Sequence, residues 1–249
     1  MQWTGHTILI TGGGSGIGAG LAAAMHHAGN QVVIAGRRTE VLQAMAHRHP
    51  GMSYLRFDQG DPRAVRAFAD EVVRRHPQLS VLINNAGIVR AEDLYAPDPD
   101  VVAEVASTNL GGPLALTAHL LPVLTRRPSA AIVNVTSALA FVPKAELPTY
   151  CATKAALHSY TESLRFQLRH SSVHVIEVAP PRVRIESDAP GGDHGITVDE
   201  FVAEVMSSLV AHPEAGEIVV RAARRLRFAE RRGAYSQSFN AVNDAKGLS

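Results

Sequence analysis

A strand, a glycine-rich turn, a helix and a second strand follow one another in HTILITGGGSGIGAGLAAAMHHAGNQVVIAGRR, residues 6–38, and no other stretch narrows the choice of fold so far. Residues 6–11 are apolar and β-branched, the composition of a strand buried on both faces of a parallel sheet. TGGGSGIG then supplies Gly12, Gly16 and Gly18. Glycines at such a turn let the backbone approach a pyrophosphate, which is held at the N-terminus of the following helix. A second strand, QVVIAG at 31–36, completes a βαβ unit of about 30 residues, the context in which this turn binds a dinucleotide. Without that context a glycine-rich turn is most often only a turn.

Further along, NVTSALAFVPKAELPTYCATKAALHSYTESLRFQL carries Ser137, Tyr150 and Lys154. The spacing predicts a strand ending at Ser137, a loop through Pro143 and Pro148, and a helix beginning near Tyr150. Residues at i and i+4 share a helix face, so Lys154 points the same way as Tyr150. An ammonium beside a phenol favours the phenolate, which is expected to draw the phenol down from its usual pKa of about 10. That tuning suits a general acid/base, with Ser137 placed to hydrogen-bond a substrate oxygen. Taken alone, Tyr followed by Lys at helical spacing is usually just a helix surface.

A length of 249 residues with 46% hydrophobic side chains fits one α/β domain with a large core. No apolar run approaches the ~18 residues of a membrane span, and the N-terminus lacks a signal-peptide layout. These features and the single cysteine, Cys151, point to a cytoplasmic protein without internal disulfides. Cys151 adjoins Tyr150 but projects to another side of the helix, so it is read as packing. A net charge of +1 argues against electrostatic capture of nucleic acid.

Strands are predicted at 6–11, 31–36, 52–58, 80–86, 131–137, 173–179 and 217–220, and helices at 16–28, 38–48, 62–76, 98–125, 149–170 and 198–211. The alternation predicts a single-domain, doubly wound Rossmann fold with a seven-stranded parallel sheet, over residues 1–232. Residues 181–197, rich in Pro, Gly and Asp, are expected to form a substrate loop at the C-terminal edge of the sheet. Residues 233–249 are polar with little periodicity and read as a disordered tail.

These motifs together resemble the short-chain dehydrogenase/reductase family in its compact form, over roughly residues 5–230. TGGGSGIG is similar to the family's cofactor turn, which implies contacts from Gly12, Ser15, Gly16, Ile17 and Gly18. NNAG at 84–87 resembles its fourth-strand motif, with Asn84 bracing the sheet and Asn85, Ala86 and Gly87 lining the cofactor. Asp58 and the backbone of Gln59, in LRFDQGD, match the adenine contact. Ser137, Tyr150 and Lys154 match the catalytic residues, and Lys154 would also hold the nicotinamide ribose. Asn109 in STNLGGPL matches an active-site asparagine that holds a water for proton resupply. Within the family, the stretch around Tyr150, VIEVAPPRVRIE and the arginine-rich ending resemble a bacterial subgroup named for an oxidoreductase encoded with lipoteichoic acid D-alanylation genes.

The chain departs from the family pattern twice. Where the family shows Pro-Gly-x-Val-x-Thr after the sixth strand, this chain has Pro180, Pro181, Arg182, Val183, Arg184 and Ile185. Pro180 and Val183 keep their places at the nicotinamide, but Ile185 cannot supply the threonine hydroxyl. The second departure is Gly36, standing where NAD-using members carry an acid that pairs with the ribose hydroxyls. Arg37 and Arg38 follow, and a guanidinium pairs bidentately with phosphate. The combination favours NADP over NAD. Ser15 points the other way, since many NADP-using relatives carry a basic residue there.

The resulting expectation is reversible hydride transfer between an NADP (alternatively NAD) nicotinamide and a carbonyl or secondary alcohol. A silent nucleotide-binding regulator would not need the whole Asn109, Ser137, Tyr150 and Lys154 set. An epimerase or dehydratase would usually need a larger C-terminal domain. The substrate pocket is expected among Leu139, Phe141, Val142, the residues after Gly87 and the 181–197 loop. The arginines of RAARRLRFAERR (221–232) are read as a solvated helix or subunit contact, because no aromatic interleaving marks a nucleic-acid patch. No metal is predicted: His47 and His49, and Asp188 and Asp193, lack a third donor at ligand spacing. His119 and His158 are read as core or interface residues. Apolar residues on several faces of 98–125 and 149–170 predict a helix interface, and the resemblance implies a homodimer or homotetramer.

Overall fold

The computed structural model describes residues 1–184 and 195–244. Seven parallel strands form one sheet in the order β3-β2-β1-β4-β5-β6-β9. They are β1 (Thr7–Thr11), β2 (Gln31–Gly36), β3 (Ser53–Arg56), β4 (Leu79–Asn84), β5 (Ala130–Val135), β6 (Val173–Val178) and β9 (Glu217–Ile218). The order reverses direction between β1 and β4. That reversal opens a crevice beyond their C-terminal ends, where the glycine turn and NNAG both emerge.

The inner strands are mostly apolar, yet the period of two still sorts their side chains. Ile8 and Ile10 face one layer with Leu21 and Met25 of α1 (Gly16–His27) and Phe201 and Val205 of α7 (Val198–Ala211). Leu9, between them, faces the other layer. There it joins Phe68 and Val72 of α3 (Pro62–Arg75), Leu116 and Leu120 of α5 (Gly112–Leu124) and Leu164 of α6 (Pro148–Gln167). Each layer covers one face of the sheet, and the inner strands β1, β4 and β5 are buried along their whole length. α2 (Thr39–Arg48) adds Leu42 and Met45 to the first layer.

The helix expected over 98–125 is interrupted. α4 (Pro99–Ala106) passes into a π-helical turn at Ser107–Gly111, and α5 resumes at Gly112. Two side groups account for the break. Pro113 has no N–H to continue the ladder, and the Gln59 amide donates to the Thr108 carbonyl at 2.8 Å, the kind of insertion that distorts a helix. A Cβ on Gly112 would lie 2.3 Å from Gln59, so only glycine admits that approach.

Two further segments differ from expectation. The 181–197 loop is closed at its base by a short parallel pair, β7 (Val183–Arg184) and β8 (Ile196–Thr197); Ile185, Asp188 and Asp193 lie outside the described residues. Within the expected disordered tail, Tyr235–Asn243 form a helix, α9, docked by Asn243, whose Oδ1 accepts from the Ala145 N–H at 2.6 Å and whose Nδ2 donates to the Pro143 carbonyl at 3.2 Å. A short helix, α8 (Arg224–Arg227), precedes it. Among the described residues no helix is long and apolar enough to cross a membrane.

Candidate active site

At the crevice, Gly12 and Gly16 adopt φ of 68° and 54°, the left-handed conformation that glycine takes without strain. A Cβ on Gly18 would lie 2.2 Å from the Gly12 carbonyl oxygen, so α1 can sit this close to the turn only without a side chain. Ile17 packs against the core and anchors the helix start. The turn is then tied to NNAG by Thr11, a residue sequence reasoning passed over although it opens the motif. Its hydroxyl accepts from the backbone N–H groups of Asn85 and Ala86, both at 3.1 Å, and its carbonyl accepts from Asn85 Nδ2 at 2.9 Å.

The Ser15 hydroxyl caps nothing in α1; it accepts from the Arg38 guanidinium at 2.9 Å. Arg38 thus brings positive charge to the position where the sequence has no basic residue. Arg37 turns the other way and faces Glu104 of α4 at 3.8 Å. Glu104 also takes Arg90 at 3.3 Å. Arg37, Asp58, Glu104, Ser107 and Thr108 border an open groove of about 420 Å³ beside the turn. Asp58 accepts from the Gly60 N–H at 3.0 Å. The Gln59 side chain is buried and donates to the Ala86 and Thr108 carbonyls, leaving only its backbone for a ligand.

The other end of the crevice is buried. Asn109, on the π-helical turn, is fully enclosed; its Oδ1 accepts from the Ile88 N–H at 2.8 Å and its Nδ2 donates to the Ile88 carbonyl at 2.9 Å. A Cβ built on Gly87 would lie 3.3 Å from Asn109 Oδ1 and 3.5 Å from Lys154 Nζ, so these three residues meet. Lys154, 4% exposed, donates from Nζ to the Val135 carbonyl at 2.8 Å, and Nζ lies 5.8 Å from the centre of the Tyr150 ring. Ser137 follows the end of β5, and its hydroxyl accepts from the Leu139 N–H at 3.1 Å. The Pro180 carbonyl accepts from the Ala138 N–H at 2.8 Å, holding the segment before Val183 against this turn.

Burial sets the electrostatics here, against one expectation. It pushes the Tyr150 phenol above its ordinary range; the Ser137 hydroxyl beside it pulls the other way and Cys151 raises it further. The lowering by Lys154 predicted from spacing is not what this arrangement produces. The lysine is itself destabilised as a cation, its pKa lowered by burial to about 8. Desolvation opposes both charged forms, phenolate and ammonium.

Several supporting residues escaped the sequence because their partners are far away in it. Glu92 accepts from the Thr149 N–H at 3.0 Å and the Thr149 hydroxyl at 2.7 Å, capping α6 beside Tyr150 with a negative charge. Asn84, which the resemblance assigns to bracing the sheet, has partners the sequence did not reveal: its Nδ2 donates to Asn134 Oδ1 at 2.9 Å and to Thr117, and Asn134 donates to Thr161 at 2.8 Å. This buried polar chain locks β4 and β5 to α5 and α6. Cys151 is buried, as expected of packing. His119 is exposed rather than part of a core. His49 packs edge-on against His26 and His27, at 5.6 and 5.5 Å between ring centres, a neighbourhood its spacing did not reveal.

The short chain dehydrogenase family model matches residues 6–191. The chain is 39% identical over 217 residues to the uncharacterized oxidoreductase DltE of Bacillus subtilis (strain 168), an alignment covering 84% of this chain and 86% of that protein. A short chain dehydrogenase from Burkholderia cenocepacia J2315, solved in complex with NADP, is 30% identical with a TM-score of 0.82, covering 97% of this chain and 98% of that one. A short-chain dehydrogenase from Sphingobium yanoikuyae in complex with NADPH shares the fold at 24% identity and a TM-score of 0.81, over 98% of both chains. Strand order, glycine turn and sequence similarity lead to one conclusion: this chain belongs to the short-chain dehydrogenase/reductase family and is an NAD(P)-dependent oxidoreductase.

Proposed function

We propose that the protein interconverts a carbonyl compound and a secondary alcohol with NADP(H) preferred, using Ser137, Tyr150, Lys154 and Asn109. The observation that carries the reading is the meeting of Asn109, Lys154 and Gly87 behind Tyr150, with Ser137 across from it. The residues fit a dinucleotide: the Gly12–Gly18 turn leaves room for backbone only, and Arg38 with Ser15 offers donors suited to a phosphate. When bound, the cofactor supplies the hydride. Ser137 orients the substrate oxygen and Tyr150 gives it a proton in the reductive direction, for which a phenol held protonated by burial is suited. Lys154 returns the proton, with Asn109 holding the route to solvent, and Lys154 also holds the ribose. Asp58 and the Gln59 backbone receive the adenine; Asn85, Ala86, Gly87, Pro180 and Val183 line the remainder.

NADP is preferred because Gly36 offers no carboxylate to a ribose hydroxyl and Arg38 reaches the turn. The substrate is a small-molecule ketone or alcohol handled by a cytoplasmic enzyme. Pairing of two copies through α4 and α6 would cover the exposed Val102 and Phe166. A panel of ketones and secondary alcohols, followed by nicotinamide absorbance with NADPH and with NADH, tests the reading. Turnover lost in Tyr150→Phe is expected. Turnover independent of Tyr150, or by NADH alone, would overturn the mechanism or the cofactor preference respectively.

A further inference from the structure

Behind the reacting residues lies a buried charge that the proposed chemistry does not use. Glu177 of β6 is 1% exposed. One carboxylate oxygen accepts from the Thr136 hydroxyl at 2.7 Å, and the other meets His158 Nδ1 at 2.7 Å. His158 stands on α6 one turn beyond Lys154. Its Nε2 faces Glu162 of the same helix at 3.8 Å, and its ring packs edge-on against Phe141 at 4.8 Å. Arg227 of α8 covers Phe141 at 4.2 Å and is itself paired with Glu217 of β9. The groups around the imidazole are therefore Glu177, Glu162, Phe141 and the Arg227–Glu217 pair. Glu177 dominates: its hydrogen bond raises the His158 pKa, burial opposes this, and the carboxylates of Glu177 and Glu162 add to the rise against Arg227.

Three consecutive residues, the last of β5 and the two that follow it, are thus each engaged. The Val135 carbonyl accepts from Lys154, the Thr136 hydroxyl donates to Glu177, and Ser137 faces Tyr150. A buried ion pair contributes little net stability, because desolvation offsets its attraction. What it does supply is geometry, since Glu177, 1% exposed, cannot lose its partners without being left buried and unsatisfied. We propose that the His158–Glu177 pair is a positioning device for Ser137, fixing through Thr136 the separation between the serine just after β5 and the tyrosine on α6. Glu177 and His158 touch no substrate; they act through Thr136. The inference rests on the reading of Ser137 and Tyr150 given above.

The test uses the full chain, NADPH and the best carbonyl substrate from the panel. Glu177→Gln keeps the shape and removes the charge. It is expected to lower kcat about ten- to a hundredfold, the scale of a misplaced reacting group, with NADPH affinity held within about twofold. Thr136→Val should lower kcat likewise, whereas Thr136→Ser, which keeps the hydroxyl, should restore it. By NMR, the His158 imidazole should titrate above 6.5 in the wild type and lower in Glu177→Gln. The wild type should accordingly lose kcat as pH rises through the His158 pKa, a limb missing from Glu177→Gln, while any limb from Lys154 is common to both.

Wild-type kcat in Glu177→Gln and Thr136→Val, with only the melting temperature lowered, would overturn the proposal. So would a fall in kcat matched by an equal loss of NADPH affinity, or a His158 that titrates at or below 6.5. Should Glu177→Gln fail to fold, the Val and Ser variants of Thr136 still decide the matter. Full activity in Tyr150→Phe would instead remove the underlying reading, so the two failures are distinguishable.

Discussion

The two ends of the crevice rest on opposite electrostatic conditions. Around the glycine turn the charges are exposed: Arg37 and Glu104 keep 51% and 39% of their side chains in solvent, and Arg38 is exposed as well. Around Tyr150 the polar groups are buried, with Asn109 at 0%, Lys154 at 4% and Glu177 at 1%. Ion pairs of the first kind are screened and contribute little to stability. Partners of the second kind are costly to remove, because the group left behind stays unsatisfied. The exposed end can therefore tune which ligand binds at little cost to the fold, whereas the buried end ties chemistry and stability together.

The largest effect is expected from Tyr150→Phe. It removes one hydroxyl, and turnover should fall about 10²–10⁴-fold while NADPH affinity, measured by fluorescence titration, stays close to wild type. Lys154→Met breaks the comparison more sharply, since it should abolish turnover and yet stabilise the protein. Burial lowers the lysine's pKa from 10.5 to about 8, so the native state resists its charge. That cost is fully present below pH 8 and is relieved as pH rises from 8 to 10.5. Removing the charge should therefore raise unfolding free energy at pH 7 by about 1–3 kcal/mol, after the loss of the Val135 hydrogen bond. Urea melts at pH 7 and pH 10 check it: the gain should shrink at the higher pH. A Lys154→Met variant less stable than wild type at pH 7 would show that Nζ is held at no net cost.

At the exposed end, Arg38→Ala should weaken NADPH by about ten- to a hundredfold, the worth of a charge-assisted hydrogen bond of about 1.5–3 kcal/mol. NADH affinity and the melting temperature should hardly move. The smallest effect belongs to Arg37→Ala, because Glu104 already faces Arg37. Its cost to NADPH affinity should stay below about 1 kcal/mol. An Arg37 effect exceeding that of Arg38 in the same titration would reverse the assignment of the two arginines.

Much of this molecule was legible before any coordinates. The TGGGSGIG turn, the alternation of strands and helices, and the spacing of Ser137, Tyr150 and Lys154 all lie within short windows, where periodicity and turn chemistry act locally. The seven-stranded sheet, the crevice and the residues gathered at it followed from them. The break in the 98–125 helix did not, although Gly111, Gly112 and Pro113 were a local warning, because the group that stabilises it is Gln59. Nor did the helix at Tyr235–Asn243, a short segment docked through Asn243 onto Pro143 and Ala145.

By itself, then, the sequence determined the fold class, the family and the short motifs that meet at the crevice. Only the tertiary structure decided which arginine reaches Ser15, that Glu92 caps the helix bearing Tyr150, that Glu177 and His158 stand behind Ser137, and that the phenol is raised rather than lowered. The physical reason is common to all four. Each depends on groups far apart in the chain, or on how completely water is excluded from them. Both are properties of packed elements and not of any one segment.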